Sequence, residues 1–201
     1  MEELLDYIIA LTNLYGLVHK DKVVEIYNRQ HGKKVDPAAV DALLQDPTQE
    51  LEEEFVGVFG EHFVSQPILE EGAFGEELRK RKGKPFHVPP REELLRYRDD
   101  FYFEETPEYE ALAGWLGENL FGGDMQPAEL LCEEIQTVCQ FDFQVLDVLE
   151  LFNQEKVRFK DQAQLEEAVG LVGKLADNTR LGENNGLTPR ELRRLQERRM
   201  V

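Results

Sequence analysis

Cysteine is almost absent from this chain: in 201 residues there are two, Cys132 and Cys139. They sit seven positions apart on one expected helix, which places their side chains along the same face roughly 10 Å apart, beyond disulfide reach. A disulfide framework is therefore excluded, and both thiols read as core rather than nucleophile. Histidine is nearly as scarce, with His19, His31, His62 and His87 scattered at no metal-ligand spacing, so neither a structural zinc site nor a cofactor is expected. No apolar run approaches the ~20 residues needed to span a bilayer. The opening Met1-Glu2-Glu3 lacks the positive patch and cleavage site of a signal peptide. The expectation is a cytoplasmic protein with reduced cysteines and no membrane partner.

Positive charge is the third shortage. Lys and Arg number 23 against 41 Asp and Glu, a formal net charge of −18, and from Asp99 to Glu155 there are 15 acidic residues and no Lys or Arg. Phosphate backbones and anionic lipids repel such a chain at long range, which disfavours nucleic acid as a partner except at a local basic patch. A catalytic constellation is also lacking, and no catalytic or metal-binding residue is assigned. Asp99-Asp100 and Glu104-Glu105 cluster like ligands for a hard cation, but their spacing matches no known loop, and they are expected to flank a buried aromatic segment, Phe101 to Phe103.

What the chain does have is helical periodicity and 41% apolar residues, enough for a core. Leu4, Leu5, Ile8, Ile9, Leu11, Leu14 and Tyr15 make a first amphipathic helix that Gly16 can end. Val23, Val24, Ile26 and Tyr27 make a second. Asp36 as N-cap with Pro37 at the first helical position opens a third through Val40, Leu43 and Leu44. Two short strands around Phe59-Gly60 then form a hairpin, although Phe59 is a poor choice where φ must be positive. Three helices followed by a hairpin is the element order of a winged helix. A mostly α fold follows: a small winged-helix-like N-terminal domain over residues 1–66, a Gly- and Pro-rich linker over 67–91 around the basic run Arg79 to Lys84, and a helical-bundle domain over 92–201. The third helix carries Asp36, Asp41 and Asp46 and no basic residue, which favours protein over DNA as the partner of the first domain.

Within the helical domain, Thr106-Pro107, Asp161 with Gln164, and Thr188-Pro189-Arg190-Glu191 read as helix starts. The last helix reverses the local charge with Arg190, Arg193, Arg194, Arg198 and Arg199. It is suited to dock on an acidic face of its own chain or of a neighbour, to stand solvated, or to act as a nucleic-acid tail.

The segment Asn178-Thr179-Arg180, Asn184, Gly186, Thr188-Pro189 and Glu191-Leu192 resembles a stretch of an uncharacterised bacterial family whose members often continue into a SEC-C metal-binding tail. Leu14-Tyr15-Gly16, Val23 to Tyr27 and Gly83-Lys84-Pro85 resemble its other landmarks. The resemblance implies a helical body with a winged-helix-like part and brings no activity. With no cysteine after position 139, a zinc-dependent role of such a tail does not carry over. The candidate binding residues are Asn178, Arg180, Asn184, Asn185, Arg190, Arg193 and Arg194, the alternative being that the polar segment only satisfies backbone groups. The functional expectation is a non-enzymatic protein-interaction module, binding a protein partner or a second copy of itself. The alternatives are a nucleic-acid-associated regulator and an enzyme whose site forms only in three dimensions.

Overall fold

The first helix, α1 (Glu2–Tyr15), has apolar residues on nearly every side and buries ten of its residues, Tyr7, Ile8, Ile9 and Leu11 among them, so it lies inside the core rather than upon it. In the computed structural model, which describes residues 2–141 and 143–199, it opens a mostly helical fold that holds one small sheet. A short strand, β1 (Leu17–His19), follows, then α2 (Lys20–Gln30), α3 (Pro37–Gln45), α4 (Gln49–Glu53) and the hairpin β2 (Val56–Phe59) with β3 (His62–Ser65). Asp36 caps α3 as expected, its side chain accepting from the Ala38 amide at 2.9 Å.

The sheet is antiparallel with strand order β1-β3-β2. Its third strand, β1, has too few residues to show a period of two and was not legible in the sequence. In the hairpin Phe59 pairs with His62, so the turn consists of Gly60-Glu61, and Gly60 takes the positive φ of +58° at the first central position. The difficulty expected at Phe59 is removed by this one-residue change of register, because glycine carries no Cβ penalty there.

Two compact units result: residues 1–103 with 181–187, and residues 104–180 with 188–201. This differs from a division at 66 and 91. The stretch expected to be a linker is folded into the first unit as α5 (Gln66–Glu70), α6 (Phe74–Arg81) and, just beyond it, α7 (Arg91–Leu94). Its Gly and Pro content reads as linker, but Phe86 and Val88 pack on the core formed by Tyr7, Tyr15, Phe63 and Leu94, and Arg81 is buried. Residues 181–187 join the same unit from far along the chain.

The second unit consists of α8 (Pro107–Leu120), α9 (Met125–Gln140), α10 (Val145–Gln154), α11 (Gln162–Asn178) and α12 (Pro189–Arg199). Helices α8, α9 and α11 pack on one another through Leu112, Leu116, Leu131, Ile135, Val172 and Leu175, all nearly or fully buried. Thr106 and Asp161 cap α8 and α11 as expected. Asp142, expected to precede α10, lies outside the described residues. Among the described residues no helix is long and apolar enough to cross a membrane.

The buried Arg81 generates a stability test. Removing Arg81 takes two donors from the buried Tyr15 carbonyl, while Glu77 keeps Lys80, and loss of donors to a buried acceptor costs about 1–3 kcal/mol, whereas truncating an exposed side chain changes stability by about 0.5 kcal/mol or less. Arg81→Ala is expected to destabilise the first unit by the former amount and Arg79→Ala by the latter, read from chemical unfolding of the two variants.

Candidate functional site: a basic groove and an apolar corner

Helix α1 ends at Gly16, whose φ of +75° turns the chain into β1. A Cβ at Gly16 would stand 2.9 Å from the Arg81 guanidinium, so glycine is required here both for the turn and for the close approach. Arg81 Nε and Nη2 donate to the Tyr15 carbonyl at 3.1 and 2.8 Å, and Nη1 reaches the Glu77 carboxylate at 2.5 Å. The polar segment closes over this pair. Asn185 adopts the left-handed conformation at φ +53°, its amide donates to the carbonyls of Lys84 at 2.9 Å and Arg81 at 3.4 Å, and its own carbonyl accepts from the His87 amide at 3.0 Å. Lys84 Nζ donates to the Glu183 carbonyl at 3.0 Å and to Asn184 Oδ1 at 2.7 Å. Asn184 and Asn185 are buried and hold segment 80–87 to segment 181–187.

The other candidate residues lie in the second unit and do not join these two. Arg180 pairs with Glu104 at 2.5 Å and with Glu191 at 3.1 Å. Arg190 donates to Asn178 Oδ1 at 3.2 Å and lies 3.7 Å from Glu108, and Arg193 reaches Asp177 at 2.7 Å. Arg194 is exposed. Six of the seven residues therefore form two groups, each fixing local structure, and Arg194 joins neither. The Arg-rich helix is docked on α11 of its own unit, and its start is a reciprocal capping box: the Glu191 amide donates to Thr188 Oγ1 at 3.1 Å and the Thr188 amide to Glu191 Oε2 at 3.0 Å. Exposed pairs such as Arg193–Asp177 contribute about 0–1 kcal/mol each, so the cap positions α12 more than its arginines do.

Beside the Arg81 cluster the first unit opens into a groove of about 540 Å³. Leu17, Leu78 and Phe86 give it apolar surface, and Arg79, Arg81, Lys82 and Lys84 bring positive charge with no Asp or Glu in the lining. Arg81 is committed to Tyr15 and Glu77. Arg79 and Lys82 are exposed, and among the described residues neither has a carboxylate within ion-pair distance. Burial holds the Lys84 ammonium below its usual range, partly offset by the charge of Glu183. His19 and His62 line the same groove edge to face, with ring centroids 4.8 Å apart. Burial, with the charge of His19, lowers the pKa of His62. The sequence signal for this site was the run Arg79 to Lys84; the histidines were not legible as part of it, because only the β1–β3 register brings His19 opposite His62.

A second surface lies in the acidic unit, where α9 meets α10. Phe141, Val145 and Leu146 are 72%, 44% and 71% exposed, within six residues of a stretch that carries acidic residues and no basic one. Phe101, expected to be buried with Tyr102 and Phe103, is instead 86% exposed; Tyr102 meets the core ring of Tyr97 edge to face, with centroids 4.9 Å apart.

Comparison of the chain with protein-family models, with curated proteins and with solved structures gave no match.

Cys132 and Cys139 are buried, and burial pushes both thiols up to about 12. In the unfolded chain they ionise near the ordinary thiol value, so as pH rises past it the unfolded state loses protons first and stability falls. The expected outcome is no labelling of the native protein by a thiol reagent at pH 8, full labelling on unfolding, and a loss of stability of the second unit from about pH 9 upward. Rapid native labelling at pH 8 would contradict the assigned burial.

Proposed function

We propose that the chain is a non-enzymatic protein-interaction module of the cytoplasm that meets its partner through the apolar corner between α9 and α10. The observation that carries this reading is the exposure of Phe141, Val145 and Leu146 together, inside the part of the chain that has no basic residue. Burying a large apolar side chain contributes about 1.5–3 kcal/mol, so three of them suffice for the energetic centre of a small interface. The flanking acids, Asp147 and Glu150 on α10, set the complement: an apolar stripe edged by Lys or Arg. The same acids oppose face-to-face pairing of two copies. On this reading the first unit, winged-helix-like in element order, is no DNA reader, since α3 and its cap carry Asp36, Asp41 and Asp46 and no cation. Kinship with the SEC-C-tailed family remains part of the proposal, resting on the residues that resemble it.

Titration with a basic amphipathic helical peptide, one face Leu and the other Lys, tests the docking surface by fluorescence anisotropy. Leu146→Asp and Phe141→Ser are expected to weaken binding at least tenfold, as loss of a buried apolar contact dictates. Equal affinity in the wild type and both variants, or affinity that vanishes entirely with salt, would overturn the assignment to this corner.

A further inference from the structure

The groove in the first unit is opposite in charge to the protein around it. Five of the chain's 23 basic residues fall between positions 79 and 84. Lys80 is neutralised by Glu77 and Glu183, and Arg81 by Glu77, which leaves Arg79 and Lys82 without a carboxylate partner among the described residues, while Lys84 feels the charge of Glu183 but has no carboxylate within ion-pair distance. Lys84 is held in place: an ammonium has three donors, two of which are taken by the Glu183 carbonyl and Asn184 Oδ1. The third has no protein acceptor among the described residues. Its partial dehydration means that an arriving anion is met at reduced cost in lost water, and the fixed geometry is prepared before binding.

Charge alone would accept any anion, but the groove has apolar surface as well. Leu17, Leu78 and Phe86 line it, and Phe86 is fixed edge-on against Tyr15 at 5.1 Å. A volume of about 540 Å³ lies within the range of small-molecule sites. One fixed cation, Lys84, two exposed ones, Arg79 and Lys82, and the apolar side chains of Leu17, Leu78 and Phe86 in the same groove are the complement of a compact molecule that carries a phosphate on an apolar body.

We propose that this groove is a binding site for a small organic phosphate, a monoester whose phosphate lies among Arg79, Lys82 and Lys84 and whose aromatic or aliphatic body lies against Phe86 and Leu17. The site is independent of the docking corner in the second unit. No reaction is assigned to it; binding alone is inferred.

Calorimetric titration of the full chain with naphthyl phosphate, inorganic phosphate and naphthol separates the contributions. Naphthyl phosphate is expected to bind at least tenfold more tightly than either of the others. The exposed pair Arg79→Gln with Lys82→Gln, which leaves the buried network untouched, is expected to weaken it at least fivefold, and Lys84→Met at least tenfold. Equal binding of naphthol would make the groove merely apolar, and equal binding of inorganic phosphate would make it a nonspecific anion patch; either overturns the proposal. Affinity for oligonucleotides that rises with length and exceeds that for naphthyl phosphate would overturn it in favour of nucleic acid. Indifference to the Arg79 and Lys82 double variant would overturn it as well.

Discussion

The first unit depends on one carbonyl. At the end of α1 the chain turns sharply at Gly16, and the Tyr15 carbonyl is enclosed by protein. Two guanidinium N–H groups of Arg81 satisfy it. A buried arginine is itself costly unless its charge and its donors are met, and here Glu77, one turn earlier on the same helix, meets both. Everything packed around this pair is placed by it: Gly16 because nothing larger fits, segment 82–87 because it follows Arg81, and residues 181–187 because Asn185 binds the carbonyls of Arg81 and Lys84.

That arrangement also explains the electrostatics. The run Arg79 to Lys84 reads in sequence as a solvated basic linker, yet helix α6 and the Asn185 clamp fix its members in different roles. Arg81 faces inward, Lys80 toward Glu77 and Glu183, and Arg79, Lys82 and Lys84 line the groove. A strongly acidic chain thus keeps a small cationic surface on its first unit and an acid-flanked apolar corner on its second. On the proposed readings the two surfaces take ligands of opposite kinds, an anion for one and a basic apolar segment for the other.

Much of the helical framework was legible because it rests on local chemistry: Asp36, Thr106, Asp161 and Thr188 cap the helices that their positions announce, and Gly122 and Gly123, both with positive φ, follow α8. What was not legible depends on distance along the chain. β1 is defined by pairing with β3, residues 181–187 belong to the first unit through contacts about a hundred positions away, and the segment after α6 is ordered by packing that its Gly and Pro content conceals. The candidate residues show the same division. Asn184 and Asn185 were picked out by a turn-rich pattern and do lie beside a groove, but as its supports. Asn178 and Arg180 were picked out by the same polar pattern, and Arg190 and Arg193 by charge; the three arginines are held by nearby carboxylates and Asn178 by Arg190. Exposure at Phe141, Val145 and Leu146 had no sequence signature, since apolar residues at the start of an amphipathic helix read as core.

The central claim is that residues 181–187 are an integral part of the first unit, and native-state hydrogen exchange resolved by residue tests it most directly. The amides of Asn185, Gly186 and Leu187, with that of His87, which donates to the Asn185 carbonyl, are expected to exchange with the same high protection as the centre of α1, through a shared opening of the unit. Exchange of these four amides at the rate of an exposed loop while α1 stays protected would contradict the account, because the clamp would then be peripheral to the fold it is said to hold.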